Sequence, residues 1–347
     1  MKTYTKIFGL TVLMSLCLLI SQTYAADTKP LKRTLCVYDP GGKSGDFFNL
    51  MEKSYQVDVL ALKGKDQPNR VQFELIAHTD EQTVFDDFKA KKCHAMVVTG
   101  TRARPLLPFT GSLEAMGALP TYSLLKRVIK SLSSPKASKL MKKGDYETVG
   151  IIPGGSVYLY VGDRKLNTVK LLAGKKIATL SFDKAAKTMV DKIGASMISA
   201  EISTFAGMFN NHAVDACYAP AFAYKALELK KGLKKGGGVI NYPLAQVTLQ
   251  IIIRSADFPE DFPQASRKLV ASYASKAIKT AKKAEKKIED WIKIPKADQD
   301  LYDEMFRKVR VELREKKIYH KYALKLMRKL RCKSDPSRPE CVGKAKE

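Results

Sequence analysis

Residues 171–220 constrain the fold of this chain more than any other stretch. They hold three apolar runs of strand length, 175–180, 196–200 and 214–218. Between them, residues 183–193 carry Ala186, Met189, Val190 and Ile193 at helical spacing, and residues 203–211 do the same with Phe205, Met208 and Phe209. Ser203 is placed to cap the second helix and Gly194 to end the first. Strand, helix, strand, helix, strand with such short connections predicts a parallel sheet with right-handed crossovers. Ligands in such sheets sit beyond the carboxyl ends of the strands. Here those ends are Ser181 with Phe182, Glu201 with Ile202, and Tyr218 to Pro220.

The flanking segments extend the pattern. Residues 34–38 (TLCVY) form a strand that runs into Asp39-Pro40-Gly41-Gly42-Lys43-Ser44-Gly45, with a helix starting near Asp46. GGKS between a strand and a helix is similar to the end of a P-loop, but the full pattern needs a glycine five residues before Gly42, where Val37 stands. What survives is a glycine-rich turn whose backbone N–H groups can hold an anion or a polar ligand group. Residues 71–77 read as a strand, 81–91 as a helix with Val84, Phe85 and Phe88 inward, and 96–100 as a third strand. The strand ends at Asp39, Thr79 and Thr99 then converge on one edge. Arg102 and Arg104 lie just beyond and are candidates for an anionic ligand, because guanidinium pairs with carboxylate in bidentate fashion. The alternative is a solvated or structural arginine.

Residues 109–122 read as loop and 124–132 as a helix. Residues 149–152 and 157–161 read as strands separated by Pro153-Gly154-Gly155, and 230–238 as a basic, glycine-rich turn. Residues 239–242 and 247–254 read as returning strands. From Phe258 on the chain reads as helical, 263–293 and then 296–330, broken near Pro295. Tyr302, Met305, Phe306, Val309 and Leu313 mark a packed face, and Trp291 reads as core.

Residues 1–25 have the form of an export signal: Lys2 and Lys6, an apolar run over 7–20, and Thr23-Tyr24-Ala25 at the cleavage position. The run is too short to span a bilayer comfortably, and Leu16 before Cys17 is too large for a lipobox. The remainder is long enough for two lobes of ordinary domain size. The net charge of +26 would suggest nucleic acid. An exported protein seldom meets any, and the basic residues are not interleaved with aromatics, so no nucleic-acid partner is expected. Runs such as 282–287 read as solvated helix faces. A basic surface still favours contact with an anionic membrane surface, lipid headgroups or lipopolysaccharide.

After residue 25 the cysteines are Cys36, Cys93, Cys217, Cys332 and Cys341. Cys332 and Cys341 flank a turn rich in Ser, Pro and Asp, suited to a small terminal disulfide. Cys36 and Cys93 lie on or beside strands expected to be neighbours, though with registers a few residues apart; Cys217 is the odd buried thiol. No spacing reads as a zinc site, and no cofactor is implied. His78, His94, His212 and His320 pair with no Ser or Cys nucleophile in any recognisable motif, so an enzyme is not expected.

The 171–220 stretch resembles the second lobe of the DctP-type solute-binding proteins of TRAP transporters. That family carries a "DLKGLKIR" strand, a helix, an "LGA" turn, an "SEVYTAL" helix and a "VVDGQENP" strand. The counterparts here are LAGKKIA at 172–178, IGA at 193–195, STFAGM at 203–208 and VDACYAP at 214–220. The likeness in order and spacing extends loosely over most of the chain after the signal, and is closer still to a divergent AdeT-like branch with a loose association with RND efflux. The resemblance implies an α/β, two-lobe periplasmic binding protein (type II, DctP-like) with parallel-sheet lobes and C-terminal helices. Its expected divisions are lobe I at 31–150, lobe II at 151–238, a return crossover at 239–257, helices at 258–331 and a tail at 332–347. It implies a periplasmic monomer whose lobes close on a small molecule and pass it to an inner-membrane transporter subunit. The alternative is an efflux-associated or cationic envelope-surface protein, although the long coiled-coil hairpin of an efflux adaptor is missing from the pattern.

The resemblance also has gaps. In the family the arginine of "KIR" holds a substrate carboxylate; here Ala178 stands in its place. A second family arginine falls near Val157 and Tyr158, and the asparagine of "QENP" falls at Ala219. The usual carboxylate clamp is therefore absent, and a simple organic acid is not the expected ligand. The expected pocket has Tyr158, Phe182, Tyr218 and Phe222 around the strand end at Ser181, with Asp39 and Thr99 opposite. Such a lining suits an apolar or cyclic ligand, with Asp39 available to a cationic one. The alternative is that these aromatics are lobe core.

Overall fold

The computed structural model describes residues 29–62, 71–234, 236–338 and 340–342. The chain divides into two units, Met1–Pro30 and Leu31–Glu347, and every element named here lies in the second. The export signal read at residues 1–25 lies outside the described residues.

The first part of the chain alternates strands and helices as its apolar spacing predicts. Strand β1 (Leu31–Tyr38) leads through a tight turn into α1 (Asp46–Leu50), which a π turn at Met51–Tyr55 joins to α2 (Gln56–Leu60). Then follow β2 (Val71–His78), α3 (Glu81–Lys89), β3 (Ala95–Thr99), α4 (Gly100–Ala103), α5 (Pro108–Gly111) and α6 (Tyr122–Leu132). The two-residue β4 (Lys142–Lys143) precedes the long β5 (Tyr146–Val161). The 171–220 unit appears as β6 (Lys176–Leu180), α7 (Lys184–Lys192), β7 (Ser196–Ala200), α8 (Ile202–Asn210) and β8 (Ala216–Pro220). After α9 (Ala223–Ala226) and α10 (Lys230–Leu233) come β9 (Gly238–Ile240), β10 (Ala245–Arg254), α11 (Phe262–Ser272), α12 (Ala274–Glu285), β11 (Trp291–Ile292), α13 (Lys296–Glu315) and α14 (Lys321–Ser334).

These strands form one mixed sheet with the path β2-β1-β3-β10-β5-β8-β6-β7. β1 pairs in parallel with β2 and β3, and β6 in parallel with β7 and β8, the two three-stranded parallel units the spacing predicts. The antiparallel pair β5 and β10 joins them, and β5 also pairs antiparallel with β8.

Several local expectations are corrected. The strands expected at 149–152 and 157–161 are one strand, β5. Pro153-Gly154-Gly155 makes a bulge rather than a turn: β10 pairs Thr248 with Pro153 and Val247 with Gly155, so Gly154 is the extra residue. A Cβ on Gly154 would lie 2.8 Å from Val247 Cγ1, and Gly155 takes φ +116°, so both positions need glycine. Ser203 does not cap α8; Glu201 is the N-cap, with its N–H donating to Thr204 Oγ1 at 3.2 Å. The 263–293 helix breaks at Tyr273, and its last part becomes β11, which pairs with β9. The 296–330 helix breaks between Glu315 and Lys321, where Lys317 takes φ +57° and Tyr319 turns into the core at 2 % exposure.

The C-terminal helices close the molecule. Tyr302, Phe306, Val309 and Leu313 of α13 are buried, with Met305 against them, as their spacing predicts. Trp291 is half-buried on the Tyr158 ring, centroids 4.9 Å apart. Disulfides join Cys36 to Cys93 and Cys332 to Cys341, and the Cys217 thiol is buried, which pushes its pKa up. Among the described residues no helix is long and apolar enough to cross a membrane.

Candidate ligand-binding site

A cavity of about 150 Å³ lies where the two parallel units face each other. It collects the carboxyl ends of β1 (Tyr38, Pro40), β3 (Thr99), β6 (Leu180) and β8 (Tyr218 to Pro220), the place that the sheet rule assigns to a ligand. Most of its wall is apolar: Met116, Phe182, Met189, Phe205, Phe222 and Leu244 are among the lining residues. Cavities of this size, when apolar, hold about one benzene-sized ring.

One end is polar and built by long-range contacts. Arg104, 8 % exposed, lies over the Tyr319 ring with its carbon 5.0 Å from the centroid. Its Nε donates to the Gly111 carbonyl at 3.1 Å and its Nη2 to Thr101 Oγ1 at 3.0 Å. Among the described residues none accepts from its Nη1. The Tyr319 hydroxyl is buried and also without a partner among them. Glu114 sits beneath this end. One of its oxygens accepts from Gly100 N, Thr248 N and Thr248 Oγ1 at 2.7 to 2.9 Å, the other from Thr101 N and Thr101 Oγ1 at 2.7 Å. Burial pushes the Glu114 carboxyl up, and the Thr101 and Thr248 donors with the Arg104 charge pull against it.

The opposite wall is tied together at the start of α7. Asp183 caps that helix by accepting from Ala185 N and Ala186 N, each at 3.1 Å, and takes a third bond from Tyr218 Oη at 3.2 Å. Tyr218 Oη itself accepts from Leu180 N at 3.2 Å. Burial, with the Asp183 charge behind it, pushes the Tyr218 phenol far up, so it stays neutral and donating. The Phe205 ring meets Tyr218 edge-on at 5.6 Å.

Of the residues singled out in the sequence, Thr99, Arg104, Phe182 and Tyr218 line this cavity together, and Phe222 with them. Asp39, Arg102, Tyr158 and Ser181 do not. Asp39 is 3 % exposed and its carboxylate accepts from Gly41, Phe47 and Phe48 N–H groups at 2.8, 2.9 and 3.0 Å. The anion-holding donors expected of the glycine-rich turn are thus occupied by the chain's own aspartate. A Cβ on Gly45 would fall 1.8 Å from that carboxylate. Arg102 is held by Gln82 Oε1, by Glu81 at 3.7 Å and by the Phe182 ring, 3.4 Å from its centroid. Tyr158 follows Val157, which lines the cavity, and successive strand residues face opposite sides. Its ring therefore lies on Trp291, and its hydroxyl donates to Glu285 at 2.9 Å. Ser181 spends its backbone N–H on the Ala200 carbonyl.

Glu114, Tyr319, Met189 and Leu244 were not legible as site residues. They come from four distant segments, and none carries a local motif. Among the described residues, no three His, Cys, Asp or Glu side chains cluster as metal ligands.

Two sets of known proteins are similar to this chain, one in sequence and one in fold. The family model described as Solute-binding protein AdeT 1/2 matches residues 51–345. The protein named Probable solute-binding protein AdeT1 of Acinetobacter baumannii is 38 % identical over 308 residues, 88 % of this chain and 99 % of the relative. Probable solute-binding protein AdeT2 of the same organism is 27 % identical over 67 % of this chain and 98 % of its own length. Among solved structures, a TRAP periplasmic solute-binding protein of Ralstonia eutropha H16 with bound (S)-2-acetolactate superposes with a TM-score of 0.69 at 13 % identity, covering 87 % of this chain and 99 % of that one. A TRAP protein of Haemophilus influenzae with bound L-gulonate gives 0.68 at 12 % identity over 86 % and 98 %. At such identities the likeness is one of fold: two lobes of the TRAP periplasmic binding-protein type.

Proposed function

The chain belongs to the Solute-binding protein AdeT 1/2 family, and from that premise we propose that it holds a small, largely apolar molecule between its two lobes for an inner-membrane transporter. In this reading the chain works in the periplasm as a monomer, and capture involves no catalysis. The observation that carries it is the makeup of the cavity: a mainly apolar wall, the carboxylates of Glu81, Glu114 and Asp183 already accepting bonds from the chain, and at one end the guanidinium of Arg104, whose Nη1 no described residue engages. The two solved relatives hold small polar acids, acetolactate and gulonate. By the resemblance, the family's clamp arginines fall at Ala178, which is fully buried, and near Val157 and Tyr158, none of them a cation. A ligand with one ring or a short apolar body and a single hydrogen-bond acceptor fits better than a simple organic acid. A multiply charged acid would bury charge against Phe182, Met189 and Phe205 without compensation.

The test is a native mass spectrum of protein purified from the periplasm, before and after unfolding and refolding. A discrete extra mass that disappears on stripping supports the reading. Phe182→Ala and Arg104→Gln should then each weaken rebinding by about tenfold or more, the effect of losing roughly 1.4 kcal/mol. A clean apo mass, with no thermal shift across a metabolite panel, sinks it.

A further inference from the structure

The densest run of exposed lysines among the described residues lies on α12, although α14 also presents Lys321, Lys325, Lys329 and Lys333 exposed. α12 and the turn after it carry Lys276, Lys279, Lys282, Lys283, Lys286 and Lys287, all exposed. At about 100° per residue, they fall on the face opposite Ala274, Ala277 and Ala281, the buried seam that packs on β5 near Gly155. The acidic residue within the run, Glu285, turns inward and accepts from Tyr122 Oη at 2.5 Å and Tyr158 Oη at 2.9 Å. The next carboxylate, Glu289, is engaged by Lys230 at 2.7 Å. Among the described residues no ion pair involves any of the six lysines, whereas Lys308 and Lys316 of the neighbouring α13 region pair with Glu304 and Glu312.

We propose that this lysine face docks the protein onto a phosphate-bearing lipid surface. Ammonium groups bind phosphate as point charges, and these are spread along about 16 Å of helix. That layout suits a plane of headgroups; a single small anion would need donors that converge. Protein interfaces are depleted in Lys, Ser and Ala and anchored by aromatic, Met and Arg side chains. Between its lysines this face offers Ser275 and Thr280 and no such anchor, which favours lipid over an acidic protein. None of the exposed large hydrophobic residues lies on α12, so the contact is electrostatic, without insertion, and is screened by salt. The proposal does not depend on the ligand reading.

The experiment is cosedimentation of the protein as purified from the periplasm with vesicles of phosphatidylethanolamine and phosphatidylglycerol, and with phosphatidylcholine vesicles. The anionic vesicles should bind it at low salt and release it at high salt, and phosphatidylcholine should not bind it. Exposed polybasic residues contribute roughly fivefold each. The quadruple variant Lys276→Gln, Lys279→Gln, Lys283→Gln, Lys287→Gln should therefore lose several hundredfold. Removing the same charge from α14, by Lys321→Gln, Lys325→Gln, Lys329→Gln and Lys333→Gln, should change binding no more than about threefold. Equal losses in the two variants overturn the proposal, as does an α12 variant that binds like wild type. Binding to polyglutamate but not to vesicles overturns it in favour of an acidic protein partner. An unchanged unfolding temperature and unchanged capture of the stripped solute by the α12 variant keep this test separate from that of the ligand site.

Discussion

Replacing Glu114 by glutamine removes one charge and one acceptor atom while leaving the shape of the side chain almost unchanged. In the native structure its two oxygens accept five hydrogen bonds, three on one and two on the other, from Gly100, Thr101 and Thr248. A glutamine can keep its oxygen on the three-donor side only by turning its NH₂ toward Thr101. There it meets the Thr101 backbone N–H, donor against donor, in place of a 2.7 Å bond. The Thr101 hydroxyl can rotate to accept, but it already accepts from Arg104 Nη2. Bonds to a charged group contribute about 1.5–3 kcal/mol each and an unpaired buried donor costs about 1–3. Partial relaxation leaves an expected loss of about 3–5 kcal/mol. A unit of this length loses about 1.5 °C per kcal/mol, so the midpoint should fall by about 5–8 °C. Scanning fluorimetry of Glu114→Gln beside the exposed control Glu52→Gln, which should stay within about 0.5 kcal/mol of wild type, is the assay. A Glu114→Gln midpoint indistinguishable from the control would refute the five-bond account. Arg104, positioned through Thr101, would then lose its stated support.

Three further outcomes follow from particular contacts. Asp39→Ala should cost about 2–4 kcal/mol of stability, because it strands backbone N–H groups at the start of α1; capture of the solute by the folded fraction should hardly change, and a variant of native stability with lost affinity would contradict the placement of Asp39. The Cys36–Cys93 bridge closes a separation of 57 residues and Cys332–Cys341 one of 9. On the chain-entropy scale, replacing both partners by alanine should cost about 4 kcal/mol for the first and about 2.5 for the second, read from urea midpoints; the reverse order counts against it. Burial pushes Glu340 up, but the Arg338 bond and the charges of Arg338 and Arg331 hold its carboxyl down at about 2, below its ordinary 4.5. Its folded pKa is depressed, so its contribution is present above pH 4.5 and fades as pH falls toward 2. The stability gap between wild type and Glu340→Gln should shrink across that window, and a gap that stays constant would exclude the Arg–Glu pairing as its source.

Local periodicity in the sequence determined the two parallel units. Apolar residues at alternating and helical spacing over 171–220 are realised as β6 to β8 with α7 and α8, because each element buries one face whatever the rest of the chain does. The position of the cavity beyond the strand ends follows from that topology. The Cys332–Cys341 bridge was legible for a different reason, since its partners lie close along the chain across a turn. Tertiary structure alone decided the rest. Pro153-Gly154-Gly155 has the composition of a turn, yet pairing with β10 absorbs it as a bulge in one continuous strand. Asp39 looked free for a ligand until the start of α1 folded back onto it. The polar end of the cavity gathers Arg104, Glu114, Thr248 and Tyr319 from segments that share no local signal. Periodicity records which face of an element is buried. Which distant partner meets a buried charge is settled only when the elements pack, since the cost of leaving that charge unpaired arises only once water is excluded.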